Sequence, residues 1–572
     1  MKKKWTLNNE VSEKEIEELI KQIKTDKITA KLLLQRKVKN KDDILHFFKP
    51  DLSKLHDPFL MKDMNLAVNR VIKAYKQKEN VMLYGDYDVD GTTAVSLLFN
   101  NLNKHLNLTY YIPDRFKEGY GISKTGIDYA ISKNINLIIS LDCGIKSKKE
   151  IAYAKKNNIG FIVCDHHEVG DDIPTCIILN PKQKNCNYPF DGLSGCGVGF
   201  KLLEGIYKQF GWDKKSLFSH LELVAISIAA DMVPISNENR ILAFHGLSKL
   251  NNNPIRALKE MILSANRTFP VNMQDILFSI APRINAVGRL RNGMFAVEFL
   301  TTDNEKNISS ILIDIQKDNE ERKKLDEMVL NEALKKIIEI KDFSSLDSTI
   351  LFDKSWHKGV LGIVASKLIE NHHYQPTIIL NEEHGILSGS ARSIEGINIY
   401  EAIYSCRELL IKFGGHANAA GLSIKVEKFK EFANRIDTYI KSKKNTTEFI
   451  PTINIDSEIK FNHIFKKNES RNKTPRFKEI IDHFEPTVQS NSKPVFMSDN
   501  LFAIKTRILK NKHLKMEIVQ DESDIKLEAI AFNMAHKEHL VASGLSLKAV
   551  YSIEMNNYRN KSSLQLLIKD IQ

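Results

Sequence analysis

The chain has 572 residues, 42% hydrophobic and 27% charged, which gives ample core for several domains and excludes a disordered chain. Lysine and arginine outnumber aspartate and glutamate by 83 to 71, and the excess of 12 suits a polyanionic partner held by its backbone. The six cysteines include no C-x-x-C pair or zinc spacing, and no apolar run approaches a membrane span. The basic start lacks the apolar stretch of a secretory signal, so a cytoplasmic protein that meets no membrane is expected.

Residues 1–50 carry short amphipathic helical patterns and are expected to pack on the domain that follows. A basic helix over 65–78 leads into the apolar run Val81-Met-Leu83 and then Tyr84-Gly-Asp-Tyr-Asp-Val-Asp-Gly91. Asp86, Asp88 and Asp90 alternate, so an extended tip would turn all three to one side, bracketed by turns at Gly85 and Gly91. Such crowding of negative charge is unfavourable unless a cation neutralises it. A helix is expected from Thr92.

From there strand and helix patterns alternate. Apolar runs end at Tyr84, Leu141 and Cys164, separated by helical segments near 92–105, 122–132 and 147–157. That rhythm predicts a parallel sheet covered by helices, with the site beyond the carboxyl ends of its strands. Each run delivers polar groups at that end: the three aspartates, then Asp142, then Asp165-His166-His167. The buried-looking stretch Leu223–Ala230 closes on Asp231, a further candidate ligand.

Residues 240–340 read as mainly helical, with Ile308, Ile311, Leu312 and Ile315 at helical spacing in a long connector. Ala281–Leu290 reads as a loop suited to phosphate contacts. A second α/β region spans about 345–440, with strands near 348–352 and 376–380. Glycines beside Ser, Arg and His in its segments 388–393 and 413–421 would let backbone amides approach an oxyanion. The lysine-rich stretch 441–447 reads as a linker. Beyond it Leu514, Met516 and Ile518, then Ile525, Leu527 and Ala529, alternate with charged residues, as in a small β-barrel of which the oligonucleotide-binding (OB) type is one candidate.

The candidate metal ligands are thus Asp86, Asp88, Asp90, Asp142, His166 and Asp231. A carboxylate-rich set with few imidazoles favours Mn²⁺ or Mg²⁺, and six ligands suit two ions sharing a carboxylate. Such a pair serves in-line phosphoryl displacement. In an extended segment His166 and His167 face opposite ways, one towards metal and one towards phosphate.

Gly85–Gly91, Asp142-Cys-Gly, Asp165-His-His and Asp231-Met-Val-Pro together resemble the DHH phosphoesterase superfamily. Gly414–Gly421 resembles its DHH-associated domain. Trp356–Ser366, Ala281–Arg289 and Asn180-Pro-Lys are similar to its branch of bacterial single-strand-specific DNA exonucleases. Tyr84 stands where many members of the superfamily have His. The resemblance implies an α/β multidomain protein: an N-terminal helical segment (1–50), a parallel-sheet DHH catalytic domain (51–240), a helical connector (241–342), an α/β DHH-associated domain (343–445) and an OB-type β-barrel (446–572). It implies 5′→3′ removal of nucleoside 5′-monophosphates from single-stranded DNA in repair and recombination. It assigns Asp88 and Asp142 to one ion; Asp90, Asp142, His166 and Asp231 to the other; and Asp86 to a supporting or ligating place. His167, with Asp142 and Asp88, would be catalytic. Ser390, Arg392, Arg283, Arg289 and His416 would hold phosphates. A monomer is expected, with a RecQ-type helicase and a single-strand-binding protein as candidate partners. Two other readings are a phosphodiesterase of short oligonucleotides or cyclic dinucleotides, and a non-enzymatic single-strand-binding scaffold. The barrel and connector disfavour the first; the retained carboxylates disfavour the second.

Overall fold

The strand–helix alternation from residue 80 onward builds a five-stranded parallel sheet. Its strands are β1 (Asn80–Gly85), β2 (Asn107–Tyr111), β3 (Leu137–Leu141), β4 (Gly160–Cys164) and β5 (Ile177–Leu179), in the order β2-β1-β3-β4-β5. Every pairing is parallel. Val81, Met82, Leu83, Leu137, Ile138 and Ile139 are fully buried, covered on both faces, and so read as continuous apolar runs. In register, Gly85 pairs with Leu141 and Leu141 with Cys164. Asp86, Asp142 and Asp165 therefore leave three adjacent strands at one level.

The computed structural model describes residues 3–444, 449–465, 474–521, 523–542, 544–558 and 561–572. Its contacts separate Thr6–Ile313 with Asn454–Gln572 from Asp314–Ile453 with Met1–Trp5. In the first unit, α1 (Val89–Leu102), α2 (Gly195–Phe210) and α3 (Leu221–Ala230) pack on one another behind the sheet. Lys201, fully buried on α2, meets Glu238 at 3.0 Å and donates to the His56 carbonyl at 2.7 Å. The interior there closes on a paired charge rather than a lone one.

The N-terminal helices depart from expectation. Ile16, Leu19, Leu32 and Leu33 share one hydrophobic cluster with Phe461, Phe484, Phe496, Met516 and Tyr551, so the segment completes the core of the C-terminal region rather than packing chiefly on the domain that follows it. The reason is that apolar helix faces seek whatever partner supplies most buried area, irrespective of order along the chain. In that region β11 (Phe496–Leu509), β12 (His513–Gln520), β13 (Lys526–Ala531), β14 (Leu547–Tyr558) and β15 (Lys561–Ile571) are linked in a ring of pairings. β11 pairs with β12, β12 with β13, β13 with β15, β15 with β14, and β14 with β11.

Ala281–Leu290 is also not a loop. It forms α4, which continues the helical run that begins at Met273 through a π-helical turn at Ile276–Ile280, and Pro282 follows directly on that turn. The long helix α5 (Glu305–Glu339) runs about 52 Å at 1.5 Å per residue. The division between units falls inside it, after Ile313. Ile308, Ile311, Leu312 and Ile315 are buried along it.

The second unit holds β6 (Thr349–Asp353), α6 (Leu361–Asn371), β7 (Thr377–Glu383), β8 (Ile386–Arg392), β9 (Leu410–His416), β10 (Ala419–Lys425) and α7 (Phe429–Lys443). The sheet order is β9-β10-β8-β7-β6. α7 packs Phe432, Ile436 and Ile440 against Ile378, Leu387 and Ala391. Trp356 is buried and donates Nε1–H to Glu332 of α5 at 2.8 Å. Since α7 continues to Lys443, the first part of the expected linker is helical, and 445–447 lie outside the described residues.

Candidate active site

Asp88 ends the extended chain. Its side chain accepts from the Gly91 N–H at 3.0 Å and caps α1. The helix thus begins at Val89, not Thr92, and Asp90 stands in its first turn rather than on an extended tip. Neither Gly85 nor Gly91 has a left-handed φ. Gly91 serves close approach instead of a sharp turn, since a Cβ there would lie 2.5 Å from the backbone N and O of Asp86.

Asp142 adopts φ +62°, sparsely populated for a residue with a side chain, and its N–H donates to the Cys164 carbonyl at 2.9 Å. A Cβ on Gly195 would sit 2.6 Å from Asp142 Oδ1, so only glycine lets α2 start there. Asp90 Oδ2 accepts the Gly195 N–H, and Oδ1 accepts the Cys196 N–H and the Ser227 hydroxyl, each at 2.7 Å. One carboxylate thus neutralises the α2 N-terminus and ties three helices together.

His166 Nε2 lies 3.2 Å from Asp142 Oδ1, 3.6 Å from Asp231 Oδ2 and 3.8 Å from Asp90 Oδ2. His167 does not face away. The chain leaves extended geometry after Cys164, with Asp165 Oδ1 accepting the backbone N–H groups of His166 at 2.8 Å and His167 at 3.1 Å. Both rings therefore enter the site, with centroids 4.7 Å apart. Asp165 Oδ1 also lies 2.7 Å from His167 Nδ1, which leaves Nε2 pointing outward.

The six candidate ligands converge. Asp86, Asp88 and Asp142 form one group whose ligand atoms lie within 4.8 Å of one another; Asp90, His166 and Asp231 form a second; Asp142, His166 and His167 a third. Burial and then Asp88 push Asp86 well above the usual carboxylate range; burial, Asp90 and Asp88 do the same to Asp142. Burial and Asp90 raise Asp88, and burial, Asp90 and Asp88 lift Asp231 to about 8. Burial lowers His166. Asp165 behaves oppositely: burial would raise it, but its hydrogen bond to His167 holds it at about 2. Burial would lower His167, yet the same bond and charge carry it to about 9.

This pocket fits divalent cations. Asp86 Oδ1 and Asp142 Oδ1 are buried and accept no hydrogen bond, a costly state that a cation relieves. Hard carboxylate oxygens with one or two imidazoles are the donors that Mn²⁺ or Mg²⁺ takes.

Sequence reasoning missed three residues. Asp165 was seen only as part of a strand end, yet it orients His167. The Tyr120 hydroxyl, delivered by the loop after β2, lies 3.1 Å from His167 Nε2. Arg115 from the same loop stacks over the Tyr87 ring at 4.7 Å, and its charge is felt at Asp86. A polar loop directly after a parallel strand was the only signal for the last two.

Of the expected phosphate contacts, Arg289 on α4 is close enough for its charge to bear on Tyr87. Arg283, a turn and a half earlier on that helix, donates from Nη1 to the Ser279 carbonyl at 2.6 Å. Ser390 and Arg392 lie on one face of β8 and meet the N-terminal turn of α6: a Cβ on Gly362 would be 2.5 Å from Arg392 Nη2 and 3.3 Å from Ser390 Oγ. A helix N-terminus, a hydroxyl and a guanidinium at one point make an anion cradle. His416 pairs with Ala419, which pairs with Arg392, so it stands on the same face two strands away.

A row of carboxylates at parallel-strand ends, joined by an Asp-His-His turn, defines a phosphoesterase of the DHH class. Residues 80–228 match the model of the DHH family N-terminal domain, 345–442 the DHHA1 domain and 455–570 the RecJ OB domain. The chain is 33% identical, over its whole length and 71% of the relative, to the single-stranded-DNA-specific exonuclease RecJ of Bacillus subtilis. The crystal structure of Thermus thermophilus RecJ with Mn²⁺ superposes at TM-score 0.83 and 22% identity, covering all of this chain and 79% of that one. The Mg²⁺ complex of the Thermus protein gives 0.77 and 20%, covering 100% and 78%. The chain belongs to the RecJ family.

Proposed function

We propose that this chain is a 5′→3′ exonuclease that degrades single-stranded DNA to nucleoside 5′-monophosphates, using two Mn²⁺ or Mg²⁺ ions. The observation that carries this is the convergence of six candidate ligands with Asp142 common to two of the groups, in a chain whose relatives are named for that activity. Asp86, Asp88 and Asp142 would hold one ion; Asp90, Asp142, His166 and Asp231 the other. Bound there, the ions supply an activated water and neutralise charge on the scissile phosphate. Asp165 fixes His167 so that its charged ring presents Nε2, with Tyr120, to a phosphate oxygen. Arg115 and Arg289 flank Tyr87 and hold backbone phosphate, with Arg283 on the same helix assisting. Ser390 and Arg392 take the 5′-terminal phosphate at α6, and His416 touches a neighbouring one. The ring-paired C-terminal strands would hold the following nucleotides.

The reading extends to a cytoplasmic monomer working in repair and recombination beside a RecQ-type helicase and a single-strand-binding protein. No described helix is long and apolar enough to cross a membrane. Light scattering and pull-down with those two proteins test that extension.

The decisive assay compares 5′-labelled and 3′-labelled single strands and a blunt duplex, with Mn²⁺, Mg²⁺ or EDTA. Immediate release of the 5′ label as mononucleotide, progressive shortening of 3′-labelled strands and a spared duplex are expected. Binding without cleavage in either metal would sink the reading.

A further inference from the structure

Away from the carboxylates, three chain segments of the first unit enclose a pocket of about 510 Å³. That volume lies within the roughly 300–1,000 Å³ typical of small-molecule sites. Its walls come from the N-terminal helices (Arg36, Lys37, His46, Lys54), from the chain after Asp231 (Asn237, Arg240) and from the turn at Ser490 and Asn491. The charge is lopsided. Four permanent cations face the cavity against Asp43 and Asp51.

Two of those cations are buried. The Arg36 side chain is 6% exposed, and its nearest carboxylate, Asp456, is 3.8 Å away. Its donors go to Asn491 Oδ1 at 2.8 Å, the Leu32 carbonyl at 2.9 Å and the Ser492 carbonyl at 2.7 Å. Arg240 lies over the Phe47 ring at 3.6 Å and donates to the carbonyls of Phe47, Phe484, Glu485 and Pro486. Carbonyls take most of the N–H groups, and Asp456 beside Arg36 and Glu485 near Arg240 offset part of the positive charge. Burial first, and the neighbouring Arg36 charge after it, lower Arg240 to about 9 against the pull of Glu485. A concave, partly desolvated wall focuses that field on whatever enters.

We propose that this pocket binds a nucleoside 5′-monophosphate, its phosphate facing Arg36, Lys37 and Lys54. The choice of nucleotide rests on the exonuclease reading, which makes that molecule the product. The volume leaves room for a nucleoside beside the phosphate. Ile235 and Ser236, four and five residues beyond Asp231, form part of the wall, and the Ile235 N–H donates to the Gln489 carbonyl at 3.0 Å. Occupancy therefore steadies the stretch that leads back to a candidate ligand.

The test is calorimetry of the full chain in EDTA with dAMP, with inorganic phosphate as the second probe. An Arg392→Ala background removes the expected terminal-phosphate cradle. One site for dAMP should remain there, and Lys37→Glu with Lys54→Glu should weaken it by about tenfold or more at unchanged melting temperature. Hydrogen exchange at 232–237 should slow when dAMP is added. No binding in the Arg392→Ala chain, or unchanged affinity after the charge reversal, would overturn the proposal. Inorganic phosphate bound as tightly as dAMP would overturn the nucleoside assignment. Because the measurement needs no metal and no cleavage, it fails independently of the labelled-strand assay.

Discussion

The carboxylate cluster behind β1, β3 and β4 and the cradle at the start of α6 are built on opposite principles. The first crowds like charges out of water, so that its empty form is destabilised and a divalent cation is demanded. The second offers a helix N-terminus, a hydroxyl and a guanidinium around a missing side chain, and so demands an anion. The difference teaches where binding energy is stored: in repulsion awaiting relief in one site, in positive charge gathered against a helix N-terminus in the other.

The sharpest way to break that contrast is Asp142→Ala. Losing the candidate shared ligand should lower cleavage by about 10³-fold or more while leaving single-strand affinity within about threefold, read by single-turnover kinetics beside filter binding. Arg392→Ala attacks the other site. It should cost about 10–100-fold on 5′-phosphorylated strands, the worth of a charge-assisted hydrogen bond, and far less on 5′-hydroxyl strands. Equal losses on both substrates would place Arg392 outside terminal-phosphate recognition. Asp165→Asn removes the negative charge beside His167 and disturbs the turn whose N–H groups it accepts, at Ile145, His166 and His167; a loss of about 10–100-fold is expected, with Mn²⁺ affinity reduced less than by Asp142→Ala.

The smallest effect is on stability. Asp231 has its folded value raised to about 8 against about 4 in an unfolded chain. Its contribution is therefore fully present below pH 4 and is lost as pH rises towards 8. In chelator, Asp231→Asn should equal the parent near pH 4 and become the more stable chain by pH 8, as urea melts would show. Mn²⁺ should close or reverse the gap.

The strand ends were legible because buried parallel strands read as unbroken apolar runs, and a charge that closes such a run stands out. Asp86, Asp142 and the Asp165–His167 turn could be placed by that rule alone. The start of α1 could not, because Asp88 belongs equally to an acidic strand tip and to a helix cap. α4 was obscured by Pro282 and Gly288, breakers by composition; here Pro282 follows a π-helical turn at Ile276–Ile280, and Gly288 lets the helix lie against Tyr87, whose carbonyl oxygen would be 2.4 Å from a Cβ. Ser390 and Arg392 were singled out by resemblance, since serine and arginine beside glycine are common in turns. Tyr120 and Arg115 depend on how one loop folds back over the sheet, which no periodicity records. The N-terminal helices show the same limit at larger scale: their amphipathic faces are plain, but the partner some 430 residues away is not.

The bonds to Asp90 also bear on how genetic data from this chain would be read. A screen scored on loss of nuclease activity would return alleles at Asp90, Gly195 and Ser227 alongside those at Asp88, and would sort them together as lost chemistry. Asp90 is a joint as much as a candidate ligand, since its oxygens pin the first turn of one helix to the start of a second and the body of a third. Alleles there should cut protein abundance as well as turnover, so the two groups separate on an immunoblot before any nuclease assay is run.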